Sequence, residues 1–488
     1  MVDLGLSSAT ELAAAIKGRE LSSLELLDHY LERVEQLNPA LNALVTFDLG
    51  RAREAAGAAD ARTMAGGKLP PLHGLPCSIK DAIATEGVRT TGGAVELTDN
   101  VPAQDASVVR RVRDAGAVVF AKSNLPQWSA DMQAFNELFG TTNNPWDLAR
   151  TPGGSSGGAA AAVSAGLSAF DIGTDIGGSI RGPAHFSGIC GHKPSFGVVP
   201  ALGYIDHQTA GSTEPDVNVL GPLARSVSDL KLLFDVIAGP TEDRAPGWRL
   251  ELPPPRSRRL ADYRIGAWLD DPSCPVSSPV ATILDQAVRA VEGEGVSVDR
   301  NARPGISFDV VHDVGLPLIS AATSPGRSEE EMERFRQIVL DPAGASEALL
   351  MRARASATFH RDWLLLTEER ERIRRIWAEF FTTVDILLCP VIIVPAFEHQ
   401  QAGTLYTRSL HVDGQQRPYV DLILWTSLIG MAYLPSTVVP VGWTDDGLPV
   451  GIQVVGPFLG DRSTLTVAGH LERLLGGYRV PPMAQLST

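Results

Sequence analysis

Residues 151–194 read TPGGSSGGAAAAVSAGLSAFDIGTDIGGSIRGPAHFSGICGHKP. A glycine–serine turn leads into an alanine-rich helix, GGAAAAVSAGL. The run AFDIGTDIG then reads as a strand that ends in a second glycine-rich turn. Upstream, LPCSIKDAI (75–83) reads as a short buried strand, DASVVRRVRDAG (105–116) as a helix with a glycine stop, and AVVFAKSN (117–124) as the next strand. Strand and helix in alternation predict an α/β chain, a mixed or parallel sheet covered by helices.

Three residues in this part of the chain carry chemistry. Ser179 follows Gly177–Gly178 at a predicted strand end, where the backbone N–H groups of Ile176, Gly177, Gly178 and Ser179 could converge on a carbonyl oxygen. A serine nucleophile needs such donors for its oxyanion and a base for its proton. Taken alone, GGS equally describes a tight structural turn. Ser155 in GGSSGG is a second hydroxyl, and alone it reads as a helix N-cap. Lys80 ends the apolar run 75–79; burial there disfavours its charge and makes a neutral general base available. Alone, it reads as a surface lysine paired with Asp81. The chain has no GxSxG elbow, and His73, His185, His192 and His207 lack triad-like surroundings, although a triad can assemble from distant residues.

The rest of the chain frames this segment. Residues 8–37 predict two helices. The second opens on Ser22-x-x-Glu25, a capping box, carries Leu27, Tyr30, Leu31 and Val34 on one face, and closes at Asn38–Pro39. Helices are predicted over 226–239, 278–292, 329–339, 360–380 and 461–475, and strands at 264–269, 385–393, 436–442 and 451–457. The expected organisation is one large domain. Its parts are N-terminal helices (1–60), a catalytic core (61–240), a variable pocket-shaping region (241–424) and a C-terminal return to the sheet (425–488).

Composition narrows the class. Of 488 residues, 44% are hydrophobic and 20% charged, enough to bury a large core. The formal net charge of −15 argues against nucleic acid and anionic membranes as partners. Cys77, Cys190, Cys274 and Cys389 form no CxxC pair and predict a reducing, cytoplasmic setting. There is no metal-spaced His/Cys cluster, no signal peptide pattern and no apolar run of membrane-spanning length.

The combination GGSSGG, GTDIGGSIR and CGHKPSFG resembles the amidase signature family. So do the preceding FGTTNNPWDLARTPGGSSGG, the upstream GLPCSIKDAI and the closing LPVGIQVVGPFLGDRSTL. The resemblance covers about residues 8–240 and 425–480. It implies that Ser179 is the nucleophile, Lys80 the base, and Ser155 the bridging serine, which in the family sits on a cis peptide. The Ile176–Ser179 N–H groups would hold the oxyanion, with Asp175 and Arg181 bracing the loop. It implies amide C–N hydrolysis through an acyl-enzyme, without cofactor or metal, and a fold with helices on both faces of a mixed sheet. Trp128, Ser129 and Met132 should line the acyl side and favour apolar or aryl groups; Trp425 and Tyr433 are further pocket candidates. Small amides, aryl-acylamides, carbamates and esters all fit that chemistry. The expected partners are a small amide and water, with no nucleic acid and no membrane, the chain being a monomer or homodimer. Two alternatives stand beside this reading. One is the glutamine-hydrolysing subunit of a tRNA-dependent amidotransferase, which works with partners and passes ammonia on. The other is a non-catalytic binding paralogue.

Overall fold

A computed structural model describes residues 3–205, 211–345 and 347–485; His207 lies outside them. The strands of one eleven-stranded sheet are, in chain order, β1 (Leu44–Phe47), β2 (Pro76–Lys80), β3 (Val118–Ser123), β4 (Phe170–Asp175), β5 (Cys190–Lys193), β6 (Val219–Ala224), β7 (Ile265–Ala267), β8 (Val298–Asp299), β9 (Ile386–Pro390), β10 (Ser436–Trp443) and β11 (Pro449–Val455). Their spatial order is β1-β3-β2-β4-β6-β5-β10-β11-β9-β7-β8. The β3, β2 and β4 strands run parallel, as do β9, β7 and β8. The neighbours between these two groups, from β4 to β9, are antiparallel, and so is the edge strand β1. Every residue of β2, β3, β4, β6, β9 and β11 is buried. Because successive side chains point to opposite faces, unbroken burial means that helices cover both faces of the sheet.

Five helices matter below: α1 (Ala9–Gly18), α2 (Ser23–Leu41), α3 (Gly157–Ser164), α4 (Arg181–Ser187) and α5 (Leu424–Gly430). Capping boxes open both α1, at Ser8 and Glu11, and α2, at Ser22 and Glu25. The α2 helix runs on through Pro39, three residues past the predicted stop. The proline sits in the last turn. There the Asn38 side chain accepts the Ala43 and Leu44 N–H groups, and left-handed Asn42 closes the helix. The alanine-rich α3 is buried on every side, because its small side chains let β4 and the strands beside it approach closely. The strands of the sheet span residues 44 to 455, and their buried side chains pack into a large hydrophobic cluster that includes Val455 and a smaller one that includes Leu44.

Candidate functional site

Lys80 is the last residue of β2, and Thr174 lies on the parallel neighbour β4. The Lys80 Nζ lies 2.6 Å from Ser155 Oγ and 2.7 Å from Thr174 Oγ1, and the residue is fully buried. Its alternative reading as a surface lysine fails, since Asp81 is instead engaged by the Thr91 N–H and hydroxyl. Burial pushes the Lys80 amine down to about 7, against the opposing pull of Asp175 and Asp171. A second buried lysine, Lys122, shows the contrast. It donates to the Ile83 carbonyl and to the Thr85 and Thr90 hydroxyls, away from both serines.

Ser155 follows a cis peptide bond from Gly154. It does not cap α3; the N-cap position belongs to Ser156, which makes no side-chain capping bond. Ser156 joins the two glycine turns instead. Its N–H donates to the Ser179 carbonyl at 3.1 Å, and its hydroxyl contacts the Thr174 backbone at 3.3 Å. This cross-link brings Ser155 and Ser179 to the same end of the sheet.

The turn 175–181 is organised by Asp175. One carboxylate oxygen accepts the Gly178 N–H at 2.8 Å and an Arg181 N–H at 2.8 Å. The other accepts the Ile180 N–H and the Arg181 Nε. Burial would raise the Asp175 carboxyl, but the Arg181 charge and hydrogen bonds outweigh it and hold it below its ordinary range. The expected set of four oxyanion donors is therefore corrected: the Gly178 N–H is spent on Asp175. The Ile176, Gly177 and Ser179 N–H groups have no hydrogen-bond partner among the described residues.

Ile176, Gly177 and Ser179 border a cavity of about 420 Å³. Met132 and Ser129 line it. Trp128 does not: its backbone is left-handed (φ 54°), and the ring packs beside Gly92 rather than the cavity. Trp425 is buried against Trp268 and Phe308, and Tyr433 bonds Asp216 while stacking on Phe196, so neither lines the cavity. Most of the remaining wall comes from a stretch without motif. Leu316, Ile319, Val420 and Ile423 make it apolar near Ser179, and Arg327 and Arg352 add guanidiniums. The sequence reading also missed Thr174, although its place in GTDIGG, one residue before Asp175, is the signal that a polar side chain shares the strand end.

His185 and His192 are tied into structural hydrogen bonds. Burial pushes His185 down to about 4; its Nδ1 accepts the Gly451 N–H. His192 bonds Thr437 and Asp461, and Asp461 takes the Ser195 N–H and hydroxyl. Among the described residues, no group of His, Cys, Asp and Glu is placed to hold a metal ion, and no helix is long and apolar enough to cross a membrane.

A family model described as Amidase matches residues 25–465. The chain is 32% identical over 489 residues to a glutamyl-tRNA(Gln) amidotransferase subunit from Halorhodospira halophila, covering 95% of this chain and 96% of that one. It is 32% identical over 496 residues to the subunit of the same name from Roseiflexus castenholzii, covering 97% and 96%. Among solved structures, a bacterial aryl acylamidase of the amidase signature family superposes with a TM-score of 0.82 at 26% identity, covering 99% of each chain. The curated relatives overturn the expectation of a substrate-only chain without nucleic acid, because they are named as subunits of an amidotransferase of tRNA. Net charge misled because it bears on direct phosphate contact by one chain's surface, and not on what an assembly holding that chain handles.

Proposed function

The chain belongs to the amidase family and acts on amide C–N bonds, and on that premise we propose that Ser179 is its nucleophile, Ser155 its proton relay and Lys80 its base. One observation carries this reading. A buried amine, unpaired with any carboxylate among the described residues, lies 2.6 Å from the hydroxyl of Ser155, whose chain neighbour Ser156 bonds the carbonyl of Ser179 at the border of a cavity. Neutral Lys80 takes a proton from Ser155 while Ser155 takes one from Ser179. The Ser179 Oγ attacks the carbonyl carbon, and the oxyanion meets the N–H groups of Ile176, Gly177 and Ser179. Ser155 returns the proton to the leaving nitrogen, the C–N bond breaks, and water hydrolyses the acyl-enzyme. Thr174 holds the amine in line. The apolar wall near Ser179, with Met132 and Ser129, supports an apolar or aryl acyl group.

A second reading has its own support. The curated relatives named above share a single name, and the Nε atoms of Arg327 and Arg352 are buried without a partner among the described residues while both arginines share Glu331. Two cations against one carboxylate leave a place for a substrate carboxylate, as glutamine has. On this reading the amide is glutamine's and the ammonia passes to a partner. The two readings share every step at Ser179 and part at the acyl group.

A substrate panel separates them: anilides, aliphatic primary amides, carbamates, esters and glutamine, each with and without candidate partner subunits and tRNA. Preference for apolar acyl groups supports the first reading. Preference for glutamine, enhanced by partners, supports the second. A folded chain inert to all of them, whose Ser179 also resists a fluorophosphonate, contradicts both.

A further inference from the structure

The peptide joining Gly177 to Gly178 is gripped at both ends. Its N–H donates to Asp175 Oδ1 at 2.8 Å, and its carbonyl accepts the Thr426 hydroxyl at 2.7 Å. Thr426 comes from α5, far along the chain, and is fully buried. Its own carbonyl accepts an Arg181 N–H at 2.8 Å, and Arg181 in turn holds Asp175. Asp175, Arg181 and Thr426 thus close a ring around one peptide plane.

That plane needs holding. Gly178 has φ +120°, a region that leaves a glycine peptide free to rotate. A Cβ on Gly178 would stand 2.6 Å from Thr426 Oγ1, so the close approach of the hydroxyl and the absence of a side chain depend on each other. The N–H groups of Gly177 and Ser179 flank the plane. The torsions on either side of it, ψ of Gly177 and φ of Gly178, set the direction of the Gly177 N–H relative to the Ser179 N–H, so holding the plane holds the two donors in register. Neither N–H has a partner among the described residues to fix its direction.

We propose that Thr426 is a positioning residue. Through the Gly177 carbonyl, its hydroxyl aims the Gly177 and Ser179 N–H groups at the oxyanion. Thr426 does not border the cavity, so it acts on the transition state without touching substrate. The proposal rests on the hydrolytic reading of Ser179 given above.

The test compares Thr426→Val, which keeps the shape and loses the hydroxyl, with Thr426→Ser, which keeps the hydroxyl. Three quantities are measured: kcat and KM on the best substrate of the panel, and the affinity of a boronic acid matched to its acyl group, whose tetrahedral adduct on Ser179 mimics the intermediate. Loss of a whole oxyanion donor costs about 10²–10³ in kcat, so a misaimed pair should cost roughly 10–100-fold in T426V. KM should stay within about threefold, boronate affinity should fall in step with kcat, and T426S should approach wild type. The proposal is overturned by wild-type kcat and boronate affinity in T426V, by a rise in KM alone, or by T426S being as impaired as T426V. Should T426V not fold, Thr426→Cys, with its weak donor, takes its place under the same criteria. A wild-type chain that turns over no amide and forms no boronate adduct refutes the hydrolytic reading itself, whatever the Thr426 variants do.

Discussion

The segment from Thr151 to Ser195 and the cavity wall drawn from 316–327, Arg352 and 403–408 differ in almost every physical respect. In the first, every residue is buried except Ile176, which faces the cavity. Its polar groups, among them Asp175, Arg181, Ser155 and Ser156, are tied to one another and to the strands beside them. In the second, burial is patchy, and Arg327 and Arg352 reach Glu331 at a half-open edge. Desolvated polar groups are costly unless satisfied, so the first region tolerates little change. The second region meets solvent at the cavity and can vary without undoing the core. We propose on this contrast that the buried segment carries the reaction chemistry and the wall the substrate choice.

The sharpest way to break this division is Ser179→Ala. Turnover should fall by about 10⁶, as removal of a covalent nucleophile does, with an unchanged far-ultraviolet circular dichroism spectrum. Near wild-type turnover in the purified variant would remove the chemistry from the buried segment.

Asp175→Asn attacks the same segment through its bracing. It leaves the Arg181 charge buried without its partner, which costs about 3–5 kcal/mol. The thermal midpoint should fall clearly and activity should be lost with the geometry of the turn. An unchanged midpoint would show that the bracing carries little.

A smaller effect sharpens the other half. Ile319→Ala removes three carbons from the apolar wall and so enlarges the cavity. It should shift the relative kcat/KM of a short against a long acyl group by about 10–200-fold, while the rate at which a small fluorophosphonate labels Ser179 stays at the wild-type value. Equal losses on all substrates and on labelling would place this residue in the chemistry instead.

Much of the buried segment was legible because its constraints are local in sequence. The glycines of GGSSGG and DIGGSIR, the lysine at the end of an apolar run and the Ser–x–x–Glu box at 22–25 each state their structure within a few residues. What could not be read depends on contacts from afar. Trp128 has a left-handed backbone, a conformation that no local pattern at a tryptophan announces, and its ring packs beside Gly92 rather than at the cavity. The Gly178 N–H was assigned to the oxyanion because nothing in GTDIGGS shows that Asp175 folds back upon it. The guanidiniums of Arg327 and Arg352 join the wall only through the packing of helices that carry no motif. The charge of the whole chain hid the kind of assembly its curated relatives are named for.

The central claim is that an amine uncharged near neutrality draws the proton from Ser179 by way of Ser155. It is tested most directly by the pH dependence of Ser179 labelling by a small fluorophosphonate, followed by intact-mass spectrometry with the adduct mapped by peptide digestion. Protonated Lys80 cannot accept a proton, so labelling should be slow in acid and rise with pH through a midpoint at about 7, with the adduct on Ser179. A rate that stays level from pH 5 to 9, or an adduct on another residue, would contradict it.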